Sequence, residues 1–242
     1  RNTGTGTWTD LSDEGNDGTP AGSPDTILLP EGTTSGKDIL GFPLTHTNNG
    51  WLNFDGNGYV DIPYSSVFDM GTGDFSIEGW LKTGVHSSYQ QVLWLGNNTE
   101  GIRFYIASNG TATFKIDEGT HDQSLIPDAT TWDDNIWNHF VCVCDRGNRK
   151  LKVYKNSVLI AQDDISADIL VTETLGSPTG ILVGRYHAGS APTNLRGSID
   201  EVRVYKRALT DGGLSESDGT NLSATASGEI SKNYKHGLSK HS

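Results

Sequence analysis

The feature that most constrains this chain is a series of short segments in which apolar and polar residues alternate. In the segment GIRFYIAS (101–108), an extended chain places Arg103 and Tyr105 on one side and Ile102, Phe104 and Ile106 on the other. Similar segments recur at short intervals, with turn-forming pairs such as Asn57–Gly58 between them. Many short strands with regular turns predict an all-β sandwich or barrel.

Two regions depart from this pattern. Residues 9–50 are rich in Gly, Thr, Pro and Asp, and only the segment TILL (26–29) is strongly apolar. Residues 211–227 have the composition of a flexible linker. Residues 228–237 predict a short helix that packs on the sandwich or on a neighbouring molecule.

We therefore predict one domain over 1–210, followed by a linker and C-terminal arm over 211–242. Within that domain, the candidate strands are 51–63, 74–83, 91–96, 101–108, 111–117, 138–145, 150–162, 179–186 and the segment from 196.

In the segment RGSIDEVRVYKRALT (196–210), the alternation of apolar and polar residues is interrupted once. Ile199 is followed by Val202 and Val204, so one extra residue stands at Asp200–Glu201. One extra residue in an otherwise regular strand predicts a β-bulge, which re-aims the side chains around it.

Composition excludes several classes of function. The chain has 242 residues and a net charge of −12, which argues against nucleic-acid binding because that binding neutralises phosphates. No apolar run approaches the roughly 20 residues that cross a bilayer, so we expect no membrane insertion. Cys142 and Cys144 are two apart on a strand, a geometry that is unfavourable for a disulfide, and we predict two free, buried thiols.

Five blocks of sequence follow one another along the chain. They are WTDLSDEGNDGT (8–19), LNFDGNGYVDIP (52–63), GDFSIEGWLKT (73–83), the run 137–161 and RGSIDEVRVYKRALT. In this order they resemble the blocks of the laminin G-like, concanavalin A-like jelly-roll family, and the resemblance implies an antiparallel two-sheet sandwich with a concave outer face.

The C-terminal segment EISKNY (229–234) resembles the ending of laminin G-like proteins that tailed bacteriophages encode. In those proteins the ending follows the sandwich directly, whereas here residues 211–227 intervene. The resemblance implies a virion context, in which Ile230 and Tyr234 would make assembly contacts with other virion proteins or with copies of this chain.

Enzymatic chemistry finds little support in the sequence. Glucanases of this fold use glutamates a few residues apart on one strand, whereas no two of the nine glutamates here are closer than 13 positions. The histidines are scattered, without a zinc-binding motif. We predict that the protein is not an enzyme.

Calcium is the one cofactor that the resemblance implies. In jelly-roll relatives, the aspartate of the last-strand block binds a structural calcium, and Asp200 occupies that position. The alternative is a polar residue at a bulge whose carboxylate accepts hydrogen bonds from backbone N–H groups.

Four residues are candidate sugar contacts. They are Trp80 and Tyr105 on predicted strands, and Tyr186 and His187 in the loop 184–196. Trp94 on a predicted strand and Tyr89 in a loop are further aromatic residues that could stack on a sugar. The alternative is that such aromatic residues pack in the core or at its rim.

We predict a non-enzymatic structural or interaction module, a capsid-decoration or fibre-associated protein on the surface of a tailed-phage particle. The alternative is a secreted or extracellular carbohydrate-binding, lectin-like adhesion module whose partner is a glycan. The two hypotheses differ in what they expect of the C-terminal arm. Contacts of the arm with other subunits favour the virion module. An arm folded back on its own sandwich, beside a vacant groove, favours the lectin-like module.

Overall fold

The chain folds as two antiparallel β-sheets in the computed structural model. The structure describes residues 18–21, 25–28, 50–85, 87–97, 100–118, 122–127, 131–132, 134–165, 179–186, 194–210, 229–230, 233 and 238. The strands are β1 (Thr19–Ala21), β2 (Asp25–Leu28), β3 (Gly50–Asp55), β4 (Tyr59–Pro63), β5 (Phe75–Thr83), β6 (Gln90–Gly96), β7 (Glu100–Ile106), β8 (Ala112–Glu118), β9 (Asp122–Leu125), β10 (Asn138–Asp145), β11 (Lys150–Lys155), β12 (Val158–Asp164), β13 (Gly180–Val183) and β14 (Arg196–Tyr205). A 3-10 turn at Ser66–Phe68 connects β4 to β5.

Each sheet has seven strands among the residues that the structure describes. The first sheet has the order β12-β11-β10-β5-β14-β3-β2, and the second has the order β1-β4-β13-β6-β7-β8-β9. All strand pairs within the sheets are antiparallel. The predicted all-β, two-sheet sandwich is therefore confirmed.

The predicted bulge lies where the sequence placed it. The pairing of β14 with β5 shifts between Asp200 and Arg203, and Glu201 takes a positive φ of 51°. The extra residue lets Ile199 and Val204 both pack on the core although they are five positions apart.

The core lies between the sheets and consists of the inward residues of the alternating segments. Phe104 of β7 stacks on Phe140 of β10, with ring centroids 4.6 Å apart. Phe75 of β5 meets Phe114 of β8 edge to face at 6.4 Å. Burial of such side chains stabilises the fold by about 1.5–3 kcal/mol each.

Both cysteines are free and buried in this core, as predicted. Burial raises the pKa of Cys142 well above its usual value and that of Cys144 to about 12. Both thiols therefore stay protonated at neutral pH and act as small apolar side chains.

A second, smaller apolar cluster lies on the outer face of the first sheet. It joins Ile230 to the outward residues of β10 and β11 and to Leu209, and its fully buried members are Val141, Val143, Tyr154, Leu209 and Ile230. The Ile230 N–H donates to the Thr210 carbonyl at 3.2 Å, and Arg207 forms an ion pair with Glu229 at 2.6 Å. In the part of the chain that the structure describes, the contacts of Ile230 are thus made to its own sandwich.

The predicted C-terminal helix is not supported. Residues 229, 230, 233 and 238 have helical backbone, but no α-helix is delimited among the described residues, and Tyr234 lies outside them. The described chain also includes no helix that is long and apolar enough to cross a membrane.

Candidate functional site

The outer face of the second sheet brings polar and aromatic side chains together across neighbouring strands. Trp94 of β6 pairs with Arg103 of β7, and Arg103 pairs with Lys115 of β8. Their chain neighbours Leu93, Leu95, Ile102 and Phe104 belong to the core, so these three side chains lie on the opposite, outer face.

The indole of Trp94 lies flat along this face because two glycines leave room for it. A Cβ atom on Gly96 would come within 2.8 Å of the Trp94 ring, and one on Gly101 within 2.9 Å. Tyr186 meets the same indole edge to face, with ring centroids 4.7 Å apart. Trp94 is 1% exposed, so it forms the floor beneath the neighbouring groups.

Arg103 lies between two tyrosine rings above this floor. Its guanidinium carbon is 5.4 Å from the ring centroid of Tyr105 and 5.1 Å from that of Tyr186. One terminal nitrogen lies 3.5 Å from an Asp117 carboxylate oxygen. The buried Nε–H of Arg103 has no hydrogen-bond partner among the described residues. The guanidinium is thus oriented by its neighbours and keeps a donor that no described protein atom uses.

Tyr89 extends this cluster to its exposed rim. Its ring meets Tyr105 edge to face at 5.5 Å, and the residue is 54% exposed. We name Tyr89, Trp94, Arg103, Tyr105 and Tyr186 the aromatic–arginine patch. Burial raises the pKa of Tyr186, an effect that the Arg103 charge partly opposes, so its hydroxyl is neutral at physiological pH.

Two carboxylates beside the patch share one lysine as an ion-pair partner. Asp117 and Asp122 are register partners on β8 and β9, and Lys115 contacts both. Burial raises the pKa of Asp122, but the hydrogen bond from Lys115 and other neighbouring groups outweigh it and lower that pKa. A general acid needs a raised pKa, so Asp122 is poorly suited to proton donation.

The structure brings together two of the four predicted sugar contacts. Tyr105 and Tyr186 share the patch, whereas Trp80 lies on the first sheet, 1% exposed, with its ring 5.2 Å from that of His139. Trp80 is therefore not a member of the patch and offers almost no ring surface to a ligand. His187 lies outside the described residues.

Asp200 is buried at the bulge of β14. Its Oδ1 accepts a hydrogen bond from the Glu201 N–H at 2.8 Å, a contact of the kind that the alternative to calcium binding requires. Among the described residues, no group of three or more His, Cys, Asp and Glu side chains is arranged to hold a metal. Calcium binding by Asp200 stays a prediction.

Sequence reasoning did not assign Arg103 to a site. The alternation of 101–108 places Arg103 on the same face as Tyr105, which was the available signal. The pairing of β6 with β7, which sets Trp94 beside Arg103, is a tertiary feature that no local pattern records.

Comparison with known proteins agrees with the fold. Residues 54–214 match a laminin G family model described as the concanavalin A-like lectin/glucanases superfamily. An anhydrosialidase from Macrobdella decora is 22% identical over 181 residues, which are 68% of this chain and 23% of that protein. The chain thus spans about a quarter of the length of this curated relative.

Two solved structures share the fold. The CBM40 domain of the Ruminococcus gnavus IT-sialidase, bound to α2,3-sialyllactose, superposes with a TM-score of 0.51 at 22% identity, covering 59% of this chain and 80% of that one. The binding domain of botulinum neurotoxin serotype G superposes with a TM-score of 0.60 at 17% identity, covering 93% of this chain and 47% of that one. At these identities the similarity establishes a shared architecture.

Proposed function

We propose that this chain, which belongs to the concanavalin A-like lectin/glucanases superfamily, is a non-catalytic carbohydrate-binding module. The observation that carries the proposal is the guanidinium of Arg103 held between the rings of Tyr105 and Tyr186. Sugars present C–H faces that pack on aromatic rings and hydroxyl or carboxylate oxygens that accept from a guanidinium. The patch supplies both kinds of contact within one small area.

The ligand that we propose is a sialylated glycan. A sugar carboxylate would accept charge-assisted hydrogen bonds from Arg103, while the sugar ring packs on Tyr186 and Tyr105. Sialyllactose is the ligand bound to the R. gnavus CBM40 domain, and that domain shares its architecture with this chain. This makes 3′-sialyllactose the first probe to use.

The non-catalytic part of the proposal is supported by the state of the acidic groups near the patch. Asp117 and Asp122 both contact Lys115, and the lowered pKa of Asp122 opposes a role as general acid. The structural neighbours described above are binding domains. An extracellular or cell-surface location fits such a module and is part of the proposal.

The contacts of the C-terminal segment support the lectin-like reading over the virion reading. Ile230 is buried against its own sandwich, as the lectin-like alternative expects. A role in a phage particle stays a prediction.

The experiment is isothermal titration calorimetry with 3′-sialyllactose, and with lactose as the uncharged control. We expect the wild-type protein to prefer sialyllactose, and Arg103→Gln to weaken its binding at least about tenfold, because a charge-assisted hydrogen bond contributes about 1.5–3 kcal/mol. The control Lys206→Gln removes an equal charge from an exposed position outside the patch and should bind like wild type. Sialyllactose binding that is absent from wild type, or unchanged in Arg103→Gln, refutes the proposal.

A further inference from the structure

A groove of about 920 Å³ opens on the first sheet, away from the aromatic–arginine patch. Its floor is a row of three side chains on adjacent strands: Asn53 of β3 pairs with Ser198 of β14, and Ser198 pairs with Lys82 of β5. Neighbouring strands are about 4.8 Å apart, so the row extends for about 10 Å. The groove volume of about 920 Å³ falls in the range of small-molecule sites, about 300–1,000 Å³.

Two tryptophans form an aromatic wall of this groove. Trp51 of β3 and Trp137, which precedes β10, meet edge to face with ring centroids 5.7 Å apart. Both are only half-buried, whereas the indoles of Trp80, Trp94 and Trp132 are almost fully buried. A half-buried tryptophan beside polar groups provides ring surface on which a sugar can pack.

Hydrogen-bond donors of the floor remain available to a ligand. The Ser198 hydroxyl donates to Asn53 Oδ1 at 3.0 Å, which orients the carboxamide and leaves its N–H₂ group to donate. Within the described part of the chain, that N–H₂ group donates to no protein atom. The connection that carries Trp137 is fixed by a hydrogen bond of 2.9 Å from the Asn135 N–H to the Thr83 carbonyl.

The charges of the groove favour an anionic occupant. Lys82 and Arg196 both line it, and neither forms an ion pair with a described carboxylate, although the chain carries a net charge of −12. Asp55, the acidic residue in the lining, accepts from the backbone and side chain of Asn57. By contrast, Lys115, Lys150, Lys152, Lys155, Arg103, Arg203 and Arg207 are each paired with a carboxylate.

We infer that this groove is a second saccharide site, which binds a carboxylate-bearing sugar chain by stacking on Trp51 and Trp137 and pairing with Lys82. It lies on the sheet opposite the one that carries the aromatic–arginine patch, so the domain is a two-site binder. Two sites on opposite faces let one domain bridge two glycan chains, which raises the avidity for a glycan-covered surface.

The test uses trigalacturonic acid and its methyl ester, which have the same sugar skeleton with and without the carboxylate charges. Binding is measured by titration calorimetry and by quenching of tryptophan fluorescence. We expect the wild-type protein to bind the free acid at least about tenfold more tightly than the ester, and Lys82→Gln to reduce that preference to about threefold or less. Trp137→Ala should weaken the binding of both probes and abolish most of the fluorescence change.

Two control variants keep the test specific. Lys206→Gln makes the same charge change outside the groove and should bind trigalacturonic acid like wild type. Arg103→Gln removes the guanidinium of the patch, so the preference for the free acid that remains in this variant belongs to the groove. Lys82 is partly exposed, so Lys82→Gln remains informative if Trp137→Ala fails to fold. Equal binding of acid and ester indicates a neutral occupant and overturns the inference. The inference is also overturned if the wild-type protein does not bind trigalacturonic acid. It is overturned as well if Arg103→Gln is the one variant that removes this binding.

Discussion

The two outer faces of the sandwich differ in how completely their charged groups are hydrogen-bonded by the protein. On the first sheet, Glu78 is fully buried and its carboxylate is satisfied by the protein itself: Arg203 at 3.1 Å, the Tyr205 hydroxyl at 2.7 Å and the Asn233 amide at 3.0 Å. On the second sheet, the Arg103 Nε–H has no partner among the described residues.

Under the proposed function, the difference separates a face that the chain closes for stability from a face that binds a ligand. The network of Glu78 is completed by Asn233, a residue of the C-terminal segment, so this part of the first sheet is closed by the chain's own tail. A buried polar network of this kind stabilises when every member is satisfied. The aromatic–arginine patch lies on the other sheet, where Asp117 and the rings of Tyr105 and Tyr186 orient the Arg103 guanidinium.

Replacing Glu78 by alanine should have the largest effect. The substitution leaves Arg203, Tyr205 and Asn233 without their common acceptor, so we expect the free energy of unfolding to fall by about 3 kcal/mol, the lower end for a broken buried pair because Arg203 reaches solvent. Urea denaturation at pH 7 measures this loss. The control Glu100→Gln, on β7 away from the network, should change it by less than about 0.5 kcal/mol. A small effect of Glu78→Ala would show that the closed face contributes little to stability.

The same carboxylate should make stability depend on acidity. Burial raises the pKa of Glu78, but His139, Arg203 and Tyr205 outweigh it and lower that pKa from 4.5 to about 2. Because the folded-state pKa is depressed, the stabilisation is complete above about pH 4.5 and is lost as the pH falls towards 2; its size is roughly 3 kcal/mol.

Denaturation between pH 5 and pH 2 tests this dependence through the variant Glu78→Gln. The acid-induced loss of stability in that window should be smaller in the variant than in wild type by roughly the stated amount, about 3 kcal/mol. Parallel profiles for the two proteins would assign the acid sensitivity to other carboxylates, such as Glu229, whose pKa is also lowered, mainly by Arg207.

The apolar contact of the tail should have an intermediate effect. Ile230→Ala removes a fully buried side chain from the cluster with Val141, Val143 and Tyr154, and we expect a loss of about 2 kcal/mol. Leu238→Ala is the matched control within the same segment, because Leu238 is exposed, and its effect should stay below about 0.5 kcal/mol. Equal effects of the two substitutions would contradict the docking of the tail through Ile230.

Much of this architecture could be predicted because each strand carries its own pattern. The alternation in 101–108 predicted a strand, and the three-residue step from Ile199 to Val202 predicted a bulge. The structure contains both. Strand β9 was missed because its four residues, Asp122–Leu125, offer one apolar side chain, Leu125, and so show no period. That strand forms because β8 provides an edge on which it can pair.

The candidate sites were less predictable because they depend on pairing between distant segments. Residue type pointed to Tyr105 and Tyr186, but their common neighbour Arg103 is identified only when both rings are placed around it. The groove depends even more on pairing between distant segments. Trp51 and Trp137 are 86 positions apart in the sequence, and the order of strands in the first sheet brings them together.

The smallest effect on stability is expected from Arg103→Gln, and it sharpens the contrast between the two faces. The Arg103–Asp117 contact is a partly exposed ion pair at 3.5 Å, and such pairs contribute between zero and about 1 kcal/mol. The variant should therefore unfold within about 1 kcal/mol of wild type. Adding 3′-sialyllactose should raise the unfolding temperature of wild type but not of the variant, because a ligand stabilises only a folded state that binds it. A large loss of stability in the unliganded variant would mean that Arg103 is a structural residue like Glu78, and the patch would then resemble the closed face rather than oppose it.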